Sequence, residues 1–163
     1  DAGLIVLYLK DAAAVRAVSS APGEVILLSN LAGDGERLAQ LESGWRIEDE
    51  ERTYPLPRRD SHAWLAVTGA PLPEMFAKLC AIDLRQDKFA DLAIAQTSIA
   101  KMSAILVRAD IGPDPVFHLL VDSAAALYFC DCLLDAADEF SGRIVGLNSH
   151  AGPWRPTETS NSM

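Results

Sequence analysis

The chain has few cysteines and no hydrophobic run long enough to cross a bilayer. Its 163 residues include three cysteines, at positions 80, 130 and 132, which cannot all pair within the chain. A domain of this length buries about 68–70% of its unfolded surface without disulfides. A membrane-spanning helix needs about 20 consecutive apolar residues, and the apolar run at 4–9 is read as a strand rather than a signal peptide. We therefore expect reduced thiols and no bilayer-spanning segment.

Basic residues are also scarce. The chain has 14 Lys and Arg against 23 Asp and Glu, for a net charge of −9. A phosphate backbone or an anionic membrane surface would repel it, so we expect neither nucleic acid nor membrane as a partner. Half of the residues are hydrophobic, as in a globular protein. Together with reduced thiols, this balance predicts a cytoplasmic protein, or a subunit that docks on a basic partner.

The common motifs of catalysis and cofactor binding are missing as well. The sequence contains no phosphate-binding loop, no dinucleotide fingerprint and no paired Cys or His at metal-ligand spacing. Asp60-Ser61-His62 has the residue types of a catalytic triad, but triad members converge from separate segments. We interpret His118 as a packed strand residue and Trp64 as a residue of the core or of a partner interface. The residues alone predict no catalytic residue, no cofactor-binding residue and no metal ligand.

What is present is a clear pattern of elements after residue 60. The predicted strands are 63–68, 92–99, 102–108, 116–121 and a short one at 143–145, with helices at 71–80 and 123–140. We expect Asp122 or Ser123 to cap the second helix and Gly142 to end it at C′. This order predicts an α+β, ferredoxin-like fold in which helices cover one face of a mostly antiparallel sheet.

The N-terminal part is less regular. It predicts strands at 4–9 and 24–29 and helices at 11–18 and 36–42. Prolines 55 and 57 favour an extended boundary segment. The predicted organisation is an N-terminal α/β segment, a core domain and a loose tail, at residues 1–57, 58–147 and 148–163.

Short motifs in the core domain occur in a recognisable order. They are Arg58 to Gly69 (RRDSHAWLAVTG), Leu79 to Arg85 (LCAIDLR), Phe89, Ala95-Gln96-Thr97, Val107-Arg108, Phe117 to Val121 (FHLLV) and Leu133 to Phe140 (LLDAADEF). This set resembles the gamma subunit of heterotetrameric sarcosine oxidase, a family that is itself similar to the folate-binding fold of the glycine-cleavage T protein. The resemblance covers residues 58–147, and the first 57 residues show no clear counterpart.

The resemblance implies the T-protein-like folate-binding fold, with one departure. In the T-protein family a Gly-Gly-x-x-Asp-Asp type segment follows the Gln-x-Thr motif and carries the carboxylate that works near the folate nitrogen. Here Ala95-Gln96-Thr97 is followed by Ser98 to Ser103 (SIAKMS), without those glycines or carboxylates. The resemblance therefore implies a retained fold and a lost chemistry.

In sarcosine oxidase-like complexes the FAD, FMN, NAD, tetrahydrofolate and zinc sites belong to other subunits. The resemblance implies a small accessory subunit, without an active site or bound cofactor of its own, that packs on the large, alpha-like subunit. The complex would be a flavin-dependent oxidase or dehydrogenase that demethylates an N-methyl amino acid such as sarcosine and transfers the carbon to tetrahydrofolate. The alternatives are a stand-alone folate-dependent aminomethyl or methyl transferase, and a folate-fold module for tRNA modification or iron–sulfur assembly.

The predicted second helix suggests where a partner could bind. Asp135, Asp138 and Glu139 crowd its last turns, where negative charge opposes the helix dipole. Either an internal arginine such as Arg108 neutralises them, or they face a basic patch on a partner. An interface elsewhere would centre on Arg58, Arg59 and Trp64. The candidate interface residues are therefore Arg58, Arg59, Trp64, Asp135 and Asp138.

Overall fold

The computed structural model describes residues 7–8, 16–21, 24–28, 36–46, 54–58, 60–110 and 113–144. The chain divides into two compact units, at residues 1–58 and 59–163. In the described residues no helix is long and apolar enough to span a membrane.

The described residues of the N-terminal unit form a small antiparallel sheet and one helix. Its elements are β1 (Leu7–Tyr8), β2 (Arg16–Ala21), β3 (Glu24–Leu28) and α1 (Glu36–Gly44). The strands pair in the order β1-β2-β3, with an irregularity between Ser19 and Ala21. The predictions of a strand near residue 24 and a helix from residue 36 are confirmed.

The predicted helix at 11–18 is wrong for residues 16–18, which lie in β2; residues 11–15 lie outside the described residues. The alanine-rich composition favours a helix only weakly. Val18 faces Ile26 in the register of β2 and β3, and this strand pairing outweighs the weak local helix preference.

The described residues of the C-terminal unit form a four-stranded sheet with two helices. Its elements are β4 (His62–Thr68), α2 (Leu72–Phe76), β5 (Ile94–Ile99), β6 (Met102–Arg108), β7 (Val116–Asp122) and α3 (Ala126–Asp138), the last preceded by a 3-10 turn at Ser123–Ala125. The sheet order is β4-β7-β6-β5, and every neighbouring pair is antiparallel. The predicted α+β class with a mostly antiparallel sheet is confirmed.

Some predicted boundaries in this unit are wrong. Helix α2 ends at Phe76 rather than at Cys80, because the chain tightens into a turn in which the Leu79 and Cys80 amides both donate to the Phe76 carbonyl at 2.9 Å. Arg143 and Ile144 are not in a strand, and the rest of that predicted strand lies outside the described residues.

Both helices pack on the same face of the sheet. Alternate residues of β7 face them, and the Phe117 ring lies 5.8 Å from the Phe76 ring and 6.1 Å from the Phe89 ring. The other buried members of this core include Met75, Ile99, Leu106, Leu119, Val121, Phe129 and Leu133. The predicted placement of the helices on one face is therefore confirmed.

Strand β7 is buried on both faces. Residues 116–121 are all buried, including His118, whose side chain lies on the face opposite the helices. Central strands that are covered on both sides read as continuous apolar runs. This burial explains why VFHLLV lacks the alternation of polar and apolar residues expected for a half-exposed strand.

The β5–β6 hairpin has a two-residue turn without glycine. Ala100 and Lys101 both have positive φ angles, of 49° and 66°. Left-handed backbone costs an L-residue roughly 1–2 kcal/mol, and tight hairpin turns of this kind therefore favour Asn-Gly. The amide of Ala100 donates to the Leu79 carbonyl at 2.9 Å, which fixes the turn against the segment after α2.

The helical segment that contains α3 is capped at its N-terminal end by the Asp122 side chain and at its C-terminal end by backbone amides. The Asp122 carboxylate accepts from the Ala124 amide at 2.9 Å, so the expectation of a cap at Asp122 is confirmed. At the other end Ser141 is left-handed, with φ of 56°. The Gly142 amide donates to the Ala137 carbonyl and the Ser141 amide to the Asp138 carbonyl, which is the hydrogen-bond pattern of a Schellman motif. The C′ residue is thus Ser141, and Gly142 follows it.

We predict opposite effects for two substitutions at this helix end. Ser141→Gly should raise the free energy of unfolding by about 1 kcal/mol, because glycine adopts the left-handed conformation without strain. Gly142→Ala should lower it, because a Cβ at Gly142 would lie 2.6 Å from the Ala137 Cβ. Urea denaturation of both variants measures the difference. Equal stability of both variants would contradict this description of the helix end.

Candidate partner interface

Helix α3 has an outward side that mixes apolar and acidic residues. Its inward side packs Phe129, Leu133 and Ala136 into the core. We call the outward residues the α3 outer stripe; they are Leu127, Tyr128, Asp131, Asp135 and Asp138. Their spacings of three and four residues bring them onto one side of the helix. Leu127 is 83% exposed and Tyr128 56% exposed, so two large apolar side chains lie at the N-terminal half of this stripe.

The acidic half of the stripe has little local compensation. Within the described part of the chain, Asp131, Asp135 and Asp138 make no ion pair. Glu139, which follows the helix, pairs with Lys78, whose ammonium also lies 5.2 Å from the centre of the Phe140 ring. The last turn of α3 contains no basic residue. Two of the predicted interface residues, Asp135 and Asp138, therefore present uncompensated charge to solvent.

Arg108 does not neutralise these acids. Its side chain is 6% exposed, and its Nη2 lies 2.6 Å from the Asp110 Oδ2. A second bond joins Nε to Asp110 Oδ1 at 2.9 Å, and Nη1 donates to the Phe89 carbonyl at 2.6 Å. The hydrogen bond with Asp110 raises the pKa of Arg108, which stays charged. The expectation that Arg108 offsets the α3 acids is wrong, because Asp110 and the loop at Phe89 already occupy its guanidinium.

Trp64 lies on the face of the sheet opposite α3. Its Nε1 donates to the His118 Nδ1 at 3.1 Å, and the two ring centres are 5.6 Å apart. An indole N–H can only donate, so Nδ1 of His118 must be the accepting nitrogen and the imidazole proton sits on Nε2. The Trp64 N–H is thus used inside this unit, and a partner could contact only the remaining surface of the half-buried ring.

The five predicted interface residues do not form one patch. Asp135 and Asp138 lie together on the α3 outer stripe, whereas Trp64 lies on the other side of the same sheet. Arg58 is exposed and belongs to the N-terminal unit, and Arg59 lies outside the described residues. Leu127 and Tyr128 were missed by the sequence reasoning. Helical spacing from Phe129, Leu133 and Ala136 would have placed both on the outward side.

The thiols and possible metal ligands add no second site in the described residues. Cys80, Cys130 and Cys132 are free and half-buried. Burial raises the pKa of the Cys80 thiol, and a side-chain hydrogen bond with Cys132 raises the pKa of the Tyr128 phenol. Among the described residues no three His, Cys, Asp or Glu side chains are grouped to hold a metal ion.

Comparisons with known proteins show a likeness to solved structures. No family model and no curated protein matches the chain. Among solved structures, it is similar to a chain of the heterotetrameric sarcosine oxidase from Corynebacterium sp. U-96 in complex with pyrrole 2-carboxylate. The TM-score is 0.65 at 21% identity, and the match covers 89% of this chain and 70% of that one. At this identity the likeness shows a shared fold.

The likeness in fold is wider than the likeness in sequence motifs. A coverage of 89% is more than residues 58–163 alone could supply. The similarity therefore extends into the first 57 residues, for which the sequence motifs showed no clear counterpart. Fold similarity at this level needs no preserved motif, because backbone geometry tolerates extensive change of side chains.

We predict that removing the guanidinium of Arg108 destabilises the chain strongly. Arg108→Met leaves the Asp110 carboxylate, which is 18% exposed, without its partner. Breaking such a buried pair costs about 3–5 kcal/mol. In the double variant with Asp110→Leu, part of the loss should return, because no unpaired charge remains. Urea denaturation of the single and double variants tests this; a loss below about 1 kcal/mol for Arg108→Met would be typical of an exposed pair instead.

We also predict that Trp64→Phe lowers the free energy of unfolding by about 1–3 kcal/mol, because the buried His118 Nδ1 loses its donor. Nitrogen-15 NMR of the unaltered chain should show the His118 proton on Nε2. A combined Trp64→Phe and His118→Leu variant removes the unsatisfied nitrogen and should recover part of the loss. A proton found on Nδ1 would be incompatible with the bond from Trp64.

Proposed function

We propose that the chain is a small, non-catalytic subunit of a hetero-oligomeric, flavin-dependent oxidoreductase similar to sarcosine oxidase. The observation that carries the proposal is the fold shared with a chain of a heterotetrameric sarcosine oxidase over 89% of this chain. The ordered motifs between residues 58 and 147 support the same relationship, and they favour the gamma subunit as the counterpart.

The role we assign is to stabilise the large, alpha-like subunit rather than to carry out chemistry. The complex would oxidatively demethylate an N-methyl amino acid such as sarcosine and transfer the carbon to tetrahydrofolate. FAD, FMN, NAD, tetrahydrofolate and zinc would be held by the other subunits. In support, the segment that would carry the folate-side carboxylate forms the β5–β6 hairpin here, and its turn is Ala100-Lys101.

The α3 outer stripe is the surface that best fits docking on another subunit. Leu127 and Tyr128 offer exposed apolar area, and the neighbouring aspartates would meet lysine or arginine side chains. Arg58, Arg59 and Trp64 remain candidates for a second contact region. The free thiols and the acidic charge suit a cytoplasmic complex.

The subunit role predicts co-purification with a coloured partner. Expressed with the products of its neighbouring genes, the chain should elute with a yellow flavoprotein, and expressed alone it should be colourless. Calorimetric titration of the chain alone with FAD, FMN and a tetrahydrofolate analogue should give no binding. Micromolar binding of the folate analogue would favour the stand-alone transferase instead.

The same complex tests the α3 outer stripe. The double variant Asp135→Asn and Asp138→Asn should weaken association at low salt and less so at moderate salt, because screening already reduces the attraction there. The melting temperature of the free chain should rise or stay unchanged, because both acids oppose the helix dipole. A matched control, Glu74→Gln with Asp114→Asn, removes the same charge from exposed positions outside α3. Equal affinities for both double variants at every salt concentration would rule out docking through these aspartates.

A further inference from the structure

The outer edge of β4 lacks the usual protection of an edge strand. β4 is the first strand in the sheet order, and in the described part of the chain no strand pairs with its outer edge. Edge strands are commonly protected by charged residues, proline or bulges. The sequence of β4, HAWLAVT, has no proline and no Lys, Arg, Asp or Glu, and its register with β7 continues without a bulge from His62 to Thr68.

The hydrogen bonding to β7 shows which backbone groups point outward. The Ser123 amide donates to the Ser61 carbonyl at 3.0 Å, so the facing residues 61 and 123 form a hydrogen-bonded pair. Such pairs alternate along an antiparallel ladder. Ala63, Leu65 and Val67 therefore bond to β7, and the N–H and C=O groups of the even-numbered residues, His62, Trp64, Ala66 and Thr68, point away from it.

The opposite edge of the sheet is different. β5 has the sequence IAQTSI, in which three consecutive residues are polar, as is typical of an edge that faces water. β4 is instead largely apolar: Leu65 and Val67 pack against the core on the helix side, and the other side carries Trp64 and Ala66 between His62 and Thr68. Apolar residues in the middle of both faces are more typical of a strand inside a sheet than of an edge. Of the two edges, β4 is the one whose side chains suit a further neighbour.

We propose that an extended segment of another subunit pairs with the outer edge of β4 and continues the sheet across the subunit boundary. This inference rests on the proposed function, since it assumes a hetero-oligomer. When a strand is added to a sheet edge, its main-chain hydrogen bonds provide affinity. The contacts of its alternate side chains provide specificity. The segment would be apolar on the helix side and apolar in its middle on the other side, to match Leu65, Trp64 and Ala66. It would have a lysine or arginine at the end beside Asp60 and Asp122, two exposed acids at the start of β4 and the end of β7.

Hydrogen exchange of single amides provides a test with a distinctive pattern. In the free chain the amides of Trp64 and Ala66 should exchange fast, and those of Leu65 and Val67 slowly. In the complex with the co-purified flavoprotein subunit, Trp64 and Ala66 should slow by at least about tenfold, while Leu65 and Val67 stay protected in both states. Unchanged exchange at Trp64 and Ala66 in a stable complex would overturn strand addition at β4.

Three variants give an independent measurement. Ala66→Pro removes an outward N–H and should reduce co-purification at least about tenfold, since proline is tolerated in an edge strand but cannot donate to a neighbour. Ala66→Val keeps the N–H and should bind as the unaltered chain does. Ser98→Pro makes the matching change on β5, where Ser98 faces Ser103 next to the turn, and should also bind normally.

The outcomes separate this inference from the proposed function. If no flavoprotein co-purifies with the unaltered chain, the proposed function fails. If a flavoprotein co-purifies equally well with the unaltered chain and with Ala66→Pro, only the β4 pairing fails. A third outcome is that the chain alone self-associates, that Ala66→Pro abolishes this self-association, and that the flavoprotein complex is unaffected. This outcome would assign the β4 edge to a second copy of the chain and overturn the proposal.

Discussion

The pairing of β7 with β4 on one side and β6 on the other is the constraint on which the C-terminal unit depends. Of the described strands β7 is the last in sequence, yet it lies inside the sheet, and its residues 116–121 are buried on both faces. Its helix-side residues form the floor on which Phe76, Phe89 and Phe129 pack. On the opposite face it carries His118, a polar group that burial would penalise without the hydrogen bond from Trp64. A change in the register of β7 by one residue would exchange these two sets of side chains.

This central position also explains how much the sequence could predict. β4, β6 and β7 are apolar segments bounded by turns, and their strands were predicted to within one residue of the bounds observed. β2 was predicted as a helix in part, because an Ala-rich segment has no local signal for the strand that its pairing with β3 imposes. The C′ residue of the helix was misplaced by one position, because Ser141, rather than glycine, adopts the left-handed conformation. Which residue adopts the left-handed conformation depends on backbone strain, and the hydrophobic pattern carries no information about it.

The candidate interface likewise has features that the sequence reveals and contacts that only the fold reveals. The excess of acids at the end of α3 is visible in the sequence, but the partner of Arg108 is not. Asp110 is two residues away from Arg108, and the third contact, the Phe89 carbonyl, depends on the tertiary fold. The pair at the end of β6 joins Arg108 to Asp110, and in the described part of the chain Asp131, Asp135 and Asp138 make no ion pair. Leu127 and Tyr128 could have been found from the helical period, once Phe129 is taken as the inward residue.

The two surfaces that we assign to partners are of different physical kinds. The α3 outer stripe offers exposed apolar area next to negative charge, so its contribution to affinity should depend on salt. The β4 edge offers mainly main-chain hydrogen bonds, with charge only at the end beside Asp60 and Asp122, so its contribution should depend on salt much less. A subunit held through both would lose only part of its affinity at high salt, and the remaining part would be sensitive to proline at Ala66. The part of the affinity that persists at high salt therefore estimates the main-chain contribution of β4 before any residue is changed.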